Sequence, residues 1–140
     1  MRNILMILLA VITLIACSKH SSLSSGNINK VNDAKPDGTY SGTFQRVVHD
    51  TGAISHVSII FSSGNYSGQS EMNYYPVIGK GIFKIFSDSI SFRGSMVYTA
   101  NFDWTLILSG DYKIKMNNSE LEIWRDYDNS SKDIYKLKKQ

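Results

Sequence analysis

From Gly38 to Leu137 apolar side chains recur at every second position in short runs broken by turn residues, and this period of two constrains the fold more than any other feature of the chain. Successive side chains of a strand point to opposite faces, so such runs read as strands with one buried side. The first run sets Tyr40, Gly42 and Phe44 on one face and Thr39, Ser41 and Thr43 on the other. Val57, Ile59 and Phe61 follow, then the turn Ser62-Ser63-Gly64-Asn65, then Tyr66, Gly68 and Ser70. Gly81, Phe83 and Ile85 lead through Ser87-Asp88 to Ile90 and Phe92. Phe102, Trp104, Leu106 and Leu108 form the strongest alternation, and Ser109-Gly110-Asp111 is read as a tight hairpin into Tyr112, Ile114 and Met116. Asn117-Asn118 turns into Leu121, Ile123 and Arg125, and the last run carries Tyr135 and Leu137. Pro36 and Pro76 fall between runs, and no long window has a helical period.

Nine short runs with tight turns predict an all-β fold of antiparallel neighbours. Closing such a meander removes its exposed edges, so the expectation is an up-and-down barrel of eight to nine strands. A two-sheet sandwich is the alternative. It needs longer crossing connections, for which residues 73–79 and 94–101 are the candidates.

The first 36 residues read differently. A basic Arg2 precedes an apolar stretch, Ile4 to Ala16, that spans 13 residues and ends in Leu14-Ile15-Ala16-Cys17. This resembles a bacterial lipoprotein signal closing in a lipobox. The resemblance implies acylation of Cys17, cleavage before it, loss of residues 1–16 and attachment to a membrane through the lipid. A spanning helix needs about 20 apolar residues, an ordinary secretory signal needs no cysteine at this place, and a stretch apolar on every face has no stripe for one-sided packing. With Cys17 the sole cysteine, lipidation leaves no thiol for a disulfide. Residues 17–36 hold Ser18, Ser21, Ser22, Ser24, Ser25 and Gly26, a composition unable to bury enough surface to offset ordering. As a coil this tether spans roughly 20–25 Å, and the domain is expected over 37–140. Ser18 after the cysteine is not the aspartate that retains enteric-type lipoproteins at the inner membrane, so the expected location is the cell envelope, at the outer membrane.

The domain resembles the small lipocalin-like (calycin-type) lipoproteins of Gram-negative bacteria. The matching pieces are Gly38-Thr39-Tyr40-Ser41-Gly42-Thr43-Phe44, with tyrosine where lipocalins carry the tryptophan of Gly-x-Trp, then Asn101-Phe102-Asp103-Trp104, Leu106-Ile107-Leu108-Ser109-Gly110-Asp111-Tyr112, and Tyr135-Lys136-Leu137. The resemblance implies a lipocalin-like barrel in which an arginine of a late strand packs on the aromatic of the first. Arg125 shares parity with Leu121 and Ile123, so it either points inward and closes one barrel end against Tyr40 or lies past the strand's end in solvent.

No catalytic constellation stands out, and an enzyme is not expected. His20, His49 and His56 have no second ligand at metal spacing. Asp126-Tyr127-Asp128-Asn129-Ser130 places oxygens like a calcium loop but lacks its glycine and closing glutamate. Ser62-Ser63-Gly64-Asn65-Tyr66 loosely resembles the Ser-Gly loop of lysozyme-inhibiting lipoprotein barrels, but its spacing is one residue short and a hairpin turn using Gly64 is the better reading. Glu120 and Glu122 lie about 7 Å apart on one strand face, opposite Leu121 and Ile123, and so face water. No metal or cofactor is expected. Without Arg2 the 14 basic residues exceed the 12 acidic by two, too little to argue for nucleic acid. Lys132, Lys136, Lys138 and Lys139 with Asp126, Asp128 and Asp133 read as a solvated, mixed-sign tail.

The aromatic residues carry the functional expectation. Tyr40, Phe44, Phe61, Phe83, Phe92, Phe102 and Trp104 fall on inner faces, leaving room only at Gly42, Gly68, Ser70 and Gly81. Two connections are greasy for loops: 71–78, with Met72, Tyr74, Tyr75, Val77 and Ile78, and 94–101, with Met96, Val97 and Tyr98. They plug a barrel end or form a binding rim. Trp124 is expected outside. The first function expected is binding of a small hydrophobic ligand, with Gly42, Gly68, Tyr74, Tyr75, Met96 and Tyr98 as candidate lining. The second is a solid barrel whose apolar loops and Trp124 dock an envelope protein or glycan. A monomer is expected in either case.

Overall fold

A computed structural model describes residues 35–127 and 130–140. Eight strands form a closed barrel in sequence order: β1 (Gly38–Val48), β2 (Ile54–Ser62), β3 (Asn65–Ser70), β4 (Gly79–Ile85), β5 (Ser89–Gly94), β6 (Gly110–Asn117), β7 (Glu120–Asp126) and β8 (Ser131–Lys139). Every pair is antiparallel, and β8 returns to β1 over the register Tyr40↔Lys139 to Val48↔Ser131. The barrel, not the sandwich, is the fold.

Parity places the core as the sequence implies. Tyr40 and Phe44 of β1, Val57, Ile59 and Phe61 of β2, and Leu121 and Ile123 of β7 are buried, as are Tyr135 and Leu137 of β8. Their rings touch around the interior. Tyr40 meets Phe61 edge-on at 5.6 Å, Phe61 meets Phe83 at 5.1 Å, and Phe92 meets Tyr66 at 5.0 Å and Tyr112 at 5.8 Å. Tyr112 continues to Tyr135 at 6.2 Å, and Tyr135 to Phe44 at 4.7 Å. Edge-to-face pairs of this kind add about 0.5–1.5 kcal/mol each beyond the burial of their surface.

The glycines do not leave the room expected of them. A Cβ on Gly42 would overlap the carbonyl oxygen of Lys136, one on Gly81 that of Arg93, and one on Gly68 would come within 2.7 Å of Ile78 Cγ2. Neighbouring backbone and Ile78 occupy the space that a side chain would have taken.

The two barrel ends differ. At one end the turns are tight: residues 63–64, 86–88 and 118–119, with Ser63 and Gly64 both at positive φ (48° and 82°). This turn end also receives the chain at Gly38. At the opposite, loop end are 49–53, 71–78, 95–109 and the connection from β7 to β8. The two longest fold together there. Val77 N–H donates to Leu106 O (3.0 Å) and Leu108 N–H to Val77 O (2.9 Å), so Pro76, Val77, Ile78 and Leu108 are buried as a plug.

The run Phe102 to Leu108 is therefore not a strand, and Ser109-Gly110-Asp111 is not a hairpin. β5 pairs directly with β6, from Phe92↔Gly110 to Ser89↔Lys113, which leaves no ladder for the run to join. Asp103 accepts from Thr105 N (2.9 Å) and Thr105 Oγ1 (2.6 Å), and this local bonding caps a 3-10 turn over Trp104–Leu106. Trp104, expected in the core, is 56% exposed.

Two outcomes follow for stability. Phe61→Ala is expected to cost about 3–5 kcal/mol and Trp104→Ala within about 1 kcal/mol, read from urea melts. Burial also holds the phenols of Tyr66, Tyr112 and Tyr135 protonated above the ordinary value of 10.0, with Tyr66 pushed up to about 12. Their stabilisation is complete below pH 10 and lost as pH rises through the raised folded values. Tyr135→Phe should flatten the alkaline part of a stability–pH curve.

Candidate functional site

At the loop end three inward-facing charges form a row across neighbouring strands. Asp133 of β8 sits opposite Arg46 of β1 and opposite Arg125 of β7. Each continues an apolar inner face: Arg46 follows Tyr40, Gly42 and Phe44; Asp133 precedes Tyr135 and Leu137; Arg125 follows Leu121 and Ile123. Asp133 is 1% exposed and is no part of a solvated tail.

Arg46 grips Asp133 with both ends of its fork, Nε to Oδ1 at 2.7 Å and Nη2 to Oδ2 at 2.8 Å. Two-point pairing of this geometry is the strong form of a charged hydrogen bond. Its other donors reach Thr105 Oγ1 (2.6 Å), Asp103 Oδ2 (3.1 Å), Thr105 O (3.0 Å) and Tyr127 OH (2.9 Å). The guanidinium thus ties the barrel wall to the 3-10 turn. Bonding to Asp133 raises the Arg46 pKa far above its already high ordinary value, outweighing the opposing effect of burial. The hydrogen bonds from Thr105 hold the Asp103 carboxyl below its ordinary range. Tyr127 donates to Asp133 Oδ2 at 2.6 Å, and burial, followed by this bond, pushes its phenol up.

Arg125 does face inward, but not toward Tyr40. Lys139 lies opposite Tyr40 and Asp133 opposite Arg125, which separates the two by about six residues of β8, or roughly 20 Å. Tyr40 packs on Phe61 near the turn end. Arg125 instead lies over Tyr112 (4.4 Å) and Tyr127 (4.7 Å), donates through Nη1 to Ser109 O (2.9 Å), bonds Tyr127 OH, and stands 3.8 Å from Asp133. Its Nε is buried without a hydrogen-bond partner among the described residues; the two rings supply part of the missing stabilisation.

Beside this row opens a cleft of 640 Å³ lined by Met96, Val97, Tyr98, Trp104, Thr105, Ile107, Ser109, Arg125 and Tyr127 among others. Its aromatic wall is braced from behind. Trp104 lies parallel to Phe102 (5.7 Å, 4°), and Phe102 parallel to Tyr74 (4.9 Å, 8°), with Tyr98 edge-on at 5.8 Å. Val97 is 90% exposed, and Met96, Tyr74 and Tyr127 are also exposed.

Of the residues singled out from sequence, Met96 and Tyr98 line the cleft, and Tyr74 supports its wall from the far side of Phe102. Tyr75 belongs to the plug: it packs on Phe44, and its hydroxyl donates to Ala53 O and accepts from Arg46 N. Gly42 and Gly68 are filled by neighbouring atoms. Trp124 does face outward, half-buried under Lys132, whose Nζ is 5.6 Å from the ring. Glu120 and Glu122 lie opposite Lys138 and Lys136 on β8. Asp126 pairs with Lys113 (3.3 Å) and Lys132 (3.8 Å). Cys17 and residues 1–34, His20 included, lie outside the described residues, as do Asp128 and Asn129 of the calcium-like stretch. Among the described residues no group of three His, Cys, Asp or Glu is placed to hold a metal, and no helix is long and apolar enough to cross a membrane. Comparison with protein-family models, curated proteins and solved structures found no match.

The charge row has a direct test. Arg46→Met removes the two-point partner of a buried carboxylate, leaving it to Tyr127 OH and to Arg125 at 3.8 Å, and is expected to cost about 3–5 kcal/mol. Adding Asp133→Leu should recover part of that loss, since it leaves Arg125 without its carboxylate, and strictly additive losses in denaturant titrations would contradict the coupling.

Proposed function

We propose that this chain is a lipid-anchored envelope lipoprotein, non-enzymatic and without a cofactor, whose barrel is a rigid mount for a binding surface at the loop end. The carrying observation is the contrast between the two candidate places. The interior is occupied by rings in mutual contact from Tyr40 round to Phe44, whereas the loop end combines exposed apolar side chains with fixed hydrogen-bonding groups in one cleft. Clefts of this mixed character and of about 300–1,000 Å³ are where ligands are held. This favours docking of an envelope component over storage of a hydrophobic ligand inside the barrel.

The lipocalin-like reading and the lipid on Cys17 remain part of the proposal. The described chain enters the barrel at the turn end, so a tether from Cys17 joins the end opposite the cleft. At the outer membrane such an anchor leaves the cleft free for partners beyond the lipid.

Cys17→Ser should abolish acylation and partitioning with membranes, measured by mass spectrometry and by detergent phase separation. Native mass spectrometry of the released protein should give the mass of the singly lipidated or fully processed monomer. A further lipid travelling with the folded barrel would move the function back to the interior.

A further inference from the structure

We infer that the loop-end cleft takes a neutral sugar ring, stacked on Trp104 and hydrogen-bonded along its edge by the wall containing Thr105, Ser109, Arg125 and Tyr127. The inference rests on the loop-end reading above and names the occupant of that surface.

A pyranose ring has C–H groups on its faces and hydroxyls around its rim. It is held best where a flat aromatic surface stands beside fixed donors and acceptors. Trp104 supplies that surface: it is 56% exposed, and its parallel stack on Phe102 and Tyr74 fixes its plane before any ligand arrives. Rigid rings contribute contact area at little cost in conformational entropy. The polar groups are fixed as well: Arg125 is bonded to Ser109 O and Tyr127 OH and keeps further Nη hydrogens for a ligand, while Thr105 gives its own proton to Asp103 and meets a ligand as an acceptor.

Charge decides between occupants. Arg46 and Arg125 are matched by Asp133 and Asp103 within 4 Å, so the row presents no surplus cation to a phosphate or carboxylate. An acyl chain would instead lie against a guanidinium whose remaining Nη hydrogens it cannot satisfy, which is unfavourable. A neutral, hydroxyl-rich ring uses both halves of the cleft.

The test uses the intact chain in detergent. Trp124→Phe leaves Trp104 as the reporting tryptophan, since the chain has two. Cellotetraose, maltotetraose and tetra-N-acetylchitotetraose are titrated while indole emission is followed, with calorimetry for affinity. At least one is expected to shift the emission saturably with a Kd of about 1 mM or tighter. Trp104→Ala should weaken that binding by about tenfold or more, and Trp104→Tyr, which keeps a stacking ring, should restore most of it. Urea midpoints confirm that the variants remain folded. No saturable change with any of the three sugars up to about 10 mM, or undiminished affinity in Trp104→Ala, overturns the inference. Dodecanoate serves as the apolar counter-probe. If it alone binds and requires Trp104, the sugar assignment fails while the loop-end site stands. If it binds independently of Trp104, the loop-end reading fails too.

Discussion

The loop end depends on one carboxylate. Asp133 joins the first, seventh and eighth strands through two arginines, and one of those arginines continues into the 3-10 turn that holds Trp104. An unpaired charge at this depth would be prohibitive, so the three groups stand or fall together. The arrangement closes the seam between β1 and β8 with side chains as well as backbone. It also gives the long connection over 95–109 a fixed attachment point that its own sequence lacks.

The rest of the end is built on that attachment. Val77 donates to Leu106 O and accepts from Leu108 N–H across the mouth, and Pro76, Ile78 and Leu108 seal the aromatic interior from water. The same two connections therefore do both things that greasy loops can do. Their inner residues plug the barrel, while Tyr74, Met96, Val97 and Trp104 stay outside and form a surface. The loops have a division of labour along each segment, not a single role.

Much of the barrel was legible because a strand buried on one side writes its own period. Tyr40, Phe44, Val57, Ile59, Phe61, Leu121 and Ile123 all face inward as alternation requires, and the tight turns at 63–64 and 118–119 mark antiparallel neighbours. The alternation failed at Phe102 to Leu108. There the period is present, but β5 already has β6 as its partner, and Asp103 with Thr105 offers the backbone a local alternative. A period says which side chains could share a face; it does not supply the neighbouring strand. The charge row was missed for a related reason. Arg46 and Asp133 occupy inward positions by parity, just as Arg125 does, yet charged residues at strand ends are ordinarily solvated. Their cross-strand registers, unknown before the fold, make them partners. The placement of Arg125 against Tyr40 failed because the two belong to opposite ends of β8's register.

The seam between β1 and β8 also sets a clock. All other strand pairs are sequence neighbours, so each can form as soon as its second strand emerges, but β1 must wait for the last strand of the barrel. Contacts of such long sequence separation form late, since the intervening chain must first be ordered. Until Asp133 arrives, Arg46 has no carboxylate on β8, the first strand keeps one open edge, and the interior is not sealed. A chain made from its amino end therefore stays unclosed until β8 is delivered. That is the condition a polypeptide needs if it is to pass through a narrow translocation channel before it folds.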